Sequence, residues 1–362
     1  MFVAYKYKLY QTKKLKYIHN KIDISGIIYN HCIALHKRYY RIYKKHLNIF
    51  QLQKHLTKLK KLAKYDFWKN IGSQAIQNIT ERIENGYKQF FDYLKNRKKE
   101  KVSPPNFKKV KRYKSFTLKG KVGYKIENNT ISLKGYRYKF WLSRPIKGQI
   151  KTITIKRDSV EDVYICISLE QEEKKSNRST GNSVGIDFGL KKFLTLSDKQ
   201  SIDSPLFHLQ NLSEIKRLNR NLSQKRKGSN RRKKAKRRLA KLHIKVANQR
   251  KDYFHKLSNE LVKKYETIFI EDLNMRAMKR LWGRKVSDLA FSEFVKILEY
   301  KTVVVKIDRF YPSSKTCSGC GTVKDNLDLK TRVYKCESCN LVIDRDYNAS
   351  INIHRVGAST LK

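Results

Sequence analysis

Four cysteines constrain this chain more tightly than any other feature of its sequence. Cys317-Ser-Gly-Cys320 and Cys336-Glu-Ser-Cys339 form a C-x2-C-x15-C-x2-C pattern. Each pair makes a tight knuckle, and two knuckles complete a tetrahedral thiolate site suited to Zn2+. Four protein ligands leave no open position, so the ion is expected to be structural; iron–sulfur clusters usually use other spacings. Cys32 and Cys166 stand apart and read as buried apolar fillers. A metal pattern without a disulfide framework points to a reducing compartment.

Charge is the second constraint. The chain has 83 Lys+Arg against 31 Asp+Glu, a formal net charge of +52 over 362 residues. Self-repulsion on that scale opposes a compact state unless a polyanion offsets it. Nucleic acid is the obvious polyanion, because each neutralised phosphate releases counterions and adds affinity. Hydrophobic residues make up 40% of the chain, enough for a core, so it is not a disordered basic tail. There is no apolar run of the length a membrane span needs, and the opening MFVAYKYKLYQTKKLK lacks the apolar region and cleavage site of a signal peptide. A cytoplasmic protein, nucleoid-associated when bound to DNA and with no membrane partner, is expected. The densest positive run is KRKGSNRRKKAKRR. Its Lys225, Arg226, Lys227, Arg231, Arg232, Lys233, Lys234, Arg237 and Arg238 are the expected phosphate contacts.

Periodicity divides the chain. A short strand over about 3–9 precedes a helical stretch from about 12 to 98. Its clearest stripe is Ile76, Ile79, Ile83, Tyr87, Phe90 and Leu94, at steps of three and four. Ser103-Pro104-Pro105 breaks that pattern. From there to about 175, short β-branched and aromatic segments predict an antiparallel sheet or small barrel. The polar EKKSNRST reads as a linker. Beyond it come a strand hairpin over 182–197, two long helices over about 211–264 broken at Gly228-Ser229, a buried strand TIFIEDL, a helix over about 287–301 and a strand VVVKIDRF. The chain closes on a helix that opens with acids, DRDYNASINIHRV. The fold class is α+β, in several domains.

Two acids stand where structural acids are unwelcome. Asp187 interrupts an apolar strand just before a turn, and Glu271 ends the run Ile268-Phe269-Ile270. A charge there is costly unless it is paired or holds a metal. Asp346 starts a helix, where the macrodipole favours it, and it can equally be a plain helix-terminal acid. Three carboxylates from two strands and a helix can hold two Mg2+ ions about 4 Å apart, which activate a water and stabilise the leaving oxygen of a phosphodiester. Asp272 reads as a solvated or capping acid, Asp344 as a neighbour of the site and His354 as a surface or packing residue.

VGIDFGLKKFLTLS, IFIEDLNM, KIDRFYPSSKTCSGCG, YKCESCN and DRDYNASINI, together with SPPNFKKVKRYKSFTL, resemble the TnpB (OrfB) family of insertion-sequence-encoded proteins. That family is related to the type V CRISPR effector nucleases. The resemblance implies a RuvC-type RNase H-fold nuclease domain, split in sequence, with the zinc module inserted. It carries Asp187, Glu271 and Asp346 onto the family's three motif acids. Asp346 is preferred to Asp344 because Asp346-Tyr347-Asn348 matches the third motif. The implied domains are a first wedge strand at 1–11, a helical recognition domain at 12–100 and a β-rich wedge domain at 101–178. A RuvC-like domain with a basic helical hairpin follows at 179–310, then a zinc ribbon at 311–341 and the last motif with the C-terminal helix at 342–362. The implied activity is Mg2+-dependent, RNA-guided DNA cleavage by a monomer or weak dimer, with partners a guide RNA from the transposon end and a target DNA. A catalytically silent RNA-guided DNA-binding protein and a DNA-strand transposase accessory protein are the alternatives. The intact acids speak against the first, and the lack of a recombinase constellation against the second.

Overall fold

In FVAYKYK alternate side chains turn inward, and the computed structural model has a sheet-edge strand there, β1 (Phe2–Lys8). The structure describes residues 2–96, 101–120, 122–171, 181–274, 277, 278, 280, 283, 286, 288–328 and 331–361. They form a mixed α/β protein with several sheets, divided into two units, Met1–Lys175 and Ser176–Lys362.

In the first unit β1 pairs antiparallel with β7 (Val163–Glu170), β7 with β6 (Gln149–Arg157) and β6 with β2 (Ser115–Lys119). A separate meander comprises β3 (Lys125–Glu127), β4 (Thr130–Leu133) and β5 (Tyr136–Lys139). The helices are α1 (Leu15–Tyr43), α2 (Ile49–Leu59) and α3 (Ser73–Lys95), with a 3-10 segment Ala63–Ile71 before α3. A capping box starts α2: the Asn48 side chain accepts from the Phe50 N–H at 2.8 Å, and the Gln51 side chain accepts from the Asn48 N–H at 3.3 Å. The stripe on α3 is graded. Ile76, Ile79 and Ile83 are buried, Tyr87 and Phe90 half-buried, and Leu94 is exposed. Helices and sheets share one core, in which Ile22, Ile33 and Ile79 belong with Phe116, Ile153 and Ile165. Buried Arg157 of β6 fastens the two. It pairs with Asp23 of α1 at 2.5 Å and donates to the carbonyls of Val110 and Tyr113. A buried guanidinium with these partners is tolerated; removing Asp23 would strand it.

In the second unit β8 (Ser183–Asp187), β9 (Lys192–Leu196) and β10 (Ser201–Asp203) form an antiparallel meander. Strand β11 (Thr267–Glu271) runs parallel to β8, and β12 (Val303–Ile307) parallel to β11. The order is β10-β9-β8-β11-β12. The helices are α4 (Phe207–Gln210), α5 (Leu212–Ser223), α6 (Asn230–Lys264), α7 (Phe291–Glu299) and α8 (Arg345–Ser359). Ile268 and Ile270 pack with Phe254 of α6 and Phe294 of α7, whereas Phe269 between them packs with Ile353 of α8. Strand β11 is therefore covered on both faces, which explains its unbroken apolar run.

Close approach of α8 to the sheet depends on glycine. A Cβ on Gly185 would lie 2.2 Å from the Ser350 carbonyl oxygen and 2.5 Å from the His354 nitrogen. One on Gly357 would lie 2.2 Å from the Phe269 ring. The cysteine segment folds around the hairpin β13 (Val333–Lys335) and β14 (Val342–Asp344), with Tyr334 buried against Cys317 and Cys336. Among the described residues, no helix is long and apolar enough to cross a membrane.

Candidate active site

The strand pattern dictates where the acids point. Val184 and Ile186 on β8, and Ile268 and Ile270 on β11, face the α6–α7 side. Alternation then turns Gly185 and Asp187, Phe269 and Glu271, toward α8. The parallel register pairs Ile270 with Ile186, so Asp187 and Glu271 end neighbouring strands at one edge. Asp346 enters from the first turn of α8. The turn after β8 brings Gly189 beside it, and a Cβ on that glycine would sit 3.9 Å from Asp346 Oδ2.

These acids repel one another. The Asp187 carboxyl is pushed up to about 8, first by burial and then by the charges of Glu271 and Asp346; Arg345 and the Phe188 N–H oppose the rise. Burial also raises Glu271, against a hydrogen bond donated by the Ser313 hydroxyl. Arg345 donates to Asp346 Oδ1 at 3.2 and 3.3 Å. A part-buried cluster of three acids with a raised carboxyl among them suits a divalent cation, which supplies the charge the protein lacks. A cavity of about 220 Å3 adjoins it, lined by Phe188, Glu271, Phe291 and Lys296 among others. Asp344 plays another part: it caps α8, its carboxylate accepting from the Tyr347 N–H at 3.0 Å. Asp272 pairs with Arg309.

The four cysteines converge. Cys317 Sγ and Cys339 Sγ lie 3.5 Å apart, Cys320 Sγ and Cys336 Sγ 3.6 Å, and all four within 4.8 Å of one another. Sulfurs about 2.3 Å from a tetrahedral Zn2+ would be about 3.8 Å apart, so the set fits a metal ion of that kind. Among the described residues no other group of three or more His, Cys, Asp or Glu side chains is this close. The carboxylates are more widely spread, as ligands shared between two ions can be.

Asn348, known from the sequence only as part of a motif, and Asn352, which sequence reasoning passed over, join the two centres. Buried Asn348 donates to the Thr316 carbonyl at 2.7 Å and accepts from the Ser318 N–H at 2.9 Å. Asn352, one turn on, donates to the carbonyls of Ser313 and Thr316 at 2.9 and 2.7 Å. Helix α8 thus holds the backbone of the first knuckle, and with it the serine that touches Glu271. Asn348 and Asn352 are spaced one helical turn apart, a signal readable in DYNASIN only once their partner segment is known. His354 does pack, edge-on to Phe269, and its Nε2 lies 2.8 Å from Ser183 Oγ.

The basic run forms a helical hairpin. Arg226, Lys227, Arg231, Lys233, Lys234, Arg237 and Arg238 are exposed, while Lys225 and Arg232 are half-buried. Arg232 donates to the carbonyls of Leu222 and Lys225 at 2.6 and 2.9 Å, so it closes the turn between α5 and α6. Ser229 caps α6, its hydroxyl accepting from the Arg232 N–H at 3.1 Å.

Comparison with known proteins gives a consistent picture. The OrfB_IS605 family, described as "Probable transposase", matches residues 164–281, and the Cas12f1-like TNB domain matches 291–353. A Streptomyces pristinaespiralis protein named "Putative RNA-guided DNA endonuclease" is 29% identical over 367 residues, covering 98% of this chain and 89% of its own. An Escherichia coli relative of the same description, InsQ, is 28% identical over 359 residues, covering 92% and 87%. A TnpB-like protein of Acanthamoeba polyphaga mimivirus is 35% identical over 241 residues, and the chain spans 45% of its length. In fold, the chain is similar to Cas12f1 from its complex with sgRNA and target DNA, with a TM-score of 0.59 at 18% identity over 95% of this chain and 83% of that one. It is also similar to the mini-RNA-guided endonuclease Cas_phi3, with a TM-score of 0.54 at 10% identity over 99% and 92%. The OrfB and TNB segments follow one another in a single chain, the first containing Asp187 and Glu271 and the second containing the four cysteines and Asp346, and over most of its length the chain is similar to proteins described as RNA-guided DNA endonucleases.

Proposed function

We propose that the protein is an RNA-guided DNA endonuclease whose cutting centre is Asp187, Glu271 and Asp346. The observation that carries this reading is the meeting of three acids at one sheet edge, where Asp187 feels both of the others. The relatives described as RNA-guided DNA endonucleases support it over most of the chain. The mixed sheet of the second unit is read as a RuvC-type RNase H fold, with 311–341 as its zinc ribbon and 342–362 as its last motif. In the first unit, 12–100 is read as the recognition lobe, and 101–178 with the opening strand as the wedge.

In this reading Asp187, Glu271 and Asp346 hold two Mg2+ ions. The ions would activate a water and neutralise charge on the leaving oxygen of a phosphodiester. The protein's part is to bring the carboxylates to one edge and hold Glu271 through Ser313, with Arg345 against Asp346. Cys317, Cys320, Cys336 and Cys339 hold a structural Zn2+. The exposed cations of the α5–α6 hairpin bind phosphates of guide RNA or target DNA by charge and backbone shape, and base pairing reads the sequence. The protein is expected to work in the cytoplasm as a monomer or weak dimer.

Asp187→Ala tests this. Mg2+-dependent cleavage of guide-matched DNA should vanish, while RNA and target binding stay within about twofold of wild type. Cleavage that survives in this variant would show the centre to lie elsewhere. Sequencing the RNA that co-purifies with the protein tests the guided step, and a discrete transposon-end transcript is expected.

A further inference from the structure

A second cavity, in the first unit, has a chemistry that the cutting centre does not use. About 540 Å3 in volume, it lies between the end of α1, the segment leading into α2, the last turns of α3 and Pro104-Pro105. One wall is aromatic. Tyr87 and Phe91 stack with ring centres 6.2 Å apart and planes 25° apart, and His46 sets its edge against both, at 5.1 and 5.5 Å. His46 is itself held by Glu84, 3.0 Å from its Nε2. Tyr40 is 61% exposed and Leu94 47% exposed, although both line the cavity. The charged groups lining it are Lys37, Lys44 and Lys45, with no carboxylate among the lining residues. Lys37 already donates to Asn106 and lies over the Phe107 ring, so Lys44 and Lys45 are the cations left to a ligand. His36 also lines it and is held neutral by burial and by His46, which keeps one ring nitrogen as donor and the other as acceptor.

Such a wall and such a rim need different things from an occupant. Exposed aromatic and aliphatic faces call for a flat apolar surface, and the lysines call for an anion. An apolar peptide helix would satisfy only the wall. A second copy of this chain would bring net charge +52 against the same sign. A nucleotide unit carries a flat π-face and a phosphate within one residue, and base–aromatic stacking needs no particular sequence. We propose that this cavity takes an unpaired base of single-stranded RNA, stacked against Tyr40 and the Tyr87–Phe91 wall, with Lys44 and Lys45 on its flanking phosphates. The inference rests on the RNA-binding half of the proposed function and deepens it. It requires neither cleavage nor the three acids.

The test uses the full-length protein stripped of nucleic acid, a fluorescein-labelled single-stranded decauridine and an RNA duplex of equal length. Binding is followed by anisotropy over a range of salt concentrations. Tyr40→Ala should weaken single-strand binding roughly tenfold with an unchanged salt slope, and leave duplex binding as it was. Lys44→Gln with Lys45→Gln should instead flatten the single-strand salt slope by about 1.4. Tyr40 is exposed, so a fall in melting temperature is not expected to cloud the result; Leu94→Glu is a second probe at the same mouth. Wild-type affinity for the single strand in both Tyr40→Ala and Leu94→Glu overturns the proposal. So does an equal loss for single strand and duplex, or a change of oligomeric state in these variants. Should cleavage prove absent from the wild type while Tyr40→Ala still loses decauridine, the nuclease reading falls and the pocket stands.

Discussion

Asp187 sits in a charge conflict that folding creates and that a bound cation would relieve. Its carboxyl is raised from 3.8 to about 8 by burial and by Glu271 and Asp346. Between those values the metal-free folded chain keeps a proton that the unfolded chain has released. The unfolded state then binds fewer protons, so stability falls as pH rises through this window. Asp187→Asn should remove that slope. In Mg2+-free buffer its melting temperature should exceed that of wild type by several degrees at pH 8 and by much less at pH 5, a difference on the order of 1–3 kcal/mol. Adding Mg2+ should raise the wild type and leave the variant unmoved. Parallel melting curves at both pH values would refute the conflict. The awkward placement of Asp187 and Glu271 was legible in the sequence, because a charge that ends an apolar run asks for a reason. Ser313 was not, since a hydroxyl in a loop carries no pattern until its acceptor is known.

Helix α8 is where local sequence says least and packing says most. Its Asp344 and Asp346 look alike in DRDYN, yet one caps the helix and the other joins the acids. Asp344 is the extended residue before the helix, so its carboxylate turns back to a backbone N–H of the first turn, whereas Asp346 lies within that turn, and only the sheet beneath says that it faces inward. The contact itself hangs on Gly185, where a methyl group would strike the backbone of Ser350 and His354. Gly185→Ala should cost about 1–3 kcal/mol or more in urea unfolding and impair cleavage with it, because Asp346 would be moved. Unchanged stability would mean that α8 can slide. In the α5–α6 hairpin the run of cations was legible, but their division of labour was not. Arg237→Gln with Arg238→Gln should flatten the salt slope of RNA binding by roughly 1.4–1.8. Arg232→Gln should lower the melting temperature instead, because its guanidinium closes the turn.

At the scale of the whole molecule, two sequence features stand out, the net charge and the cysteine segment. A net charge of +52 favours a polyanion partner, and the cysteine segment, with only Cys317, Tyr334 and Cys336 as its small buried cluster, has four sulfurs placed so that they could hold a metal ion. Dialysis against a zinc chelator should release about one zinc per chain, lower the melting temperature and weaken Mg2+-dependent cleavage after Mg2+ is restored. The last effect follows from the grip of Asn348 and Asn352 on the knuckle that carries Ser313. Retained cleavage in zinc-free protein would cut that link. The sheet order, by contrast, was beyond sequence reading, because β11 reaches β8 only after the excursion through α5 and α6. That excursion, and the late arrival of α8, bear on the protein's birth at the ribosome. A nascent chain has made the basic α5–α6 hairpin well before residue 346 leaves the exit tunnel. On the proposed function, binding capacity would then precede completion of the acid cluster, so a half-made protein could hold a transcript before it could cut DNA.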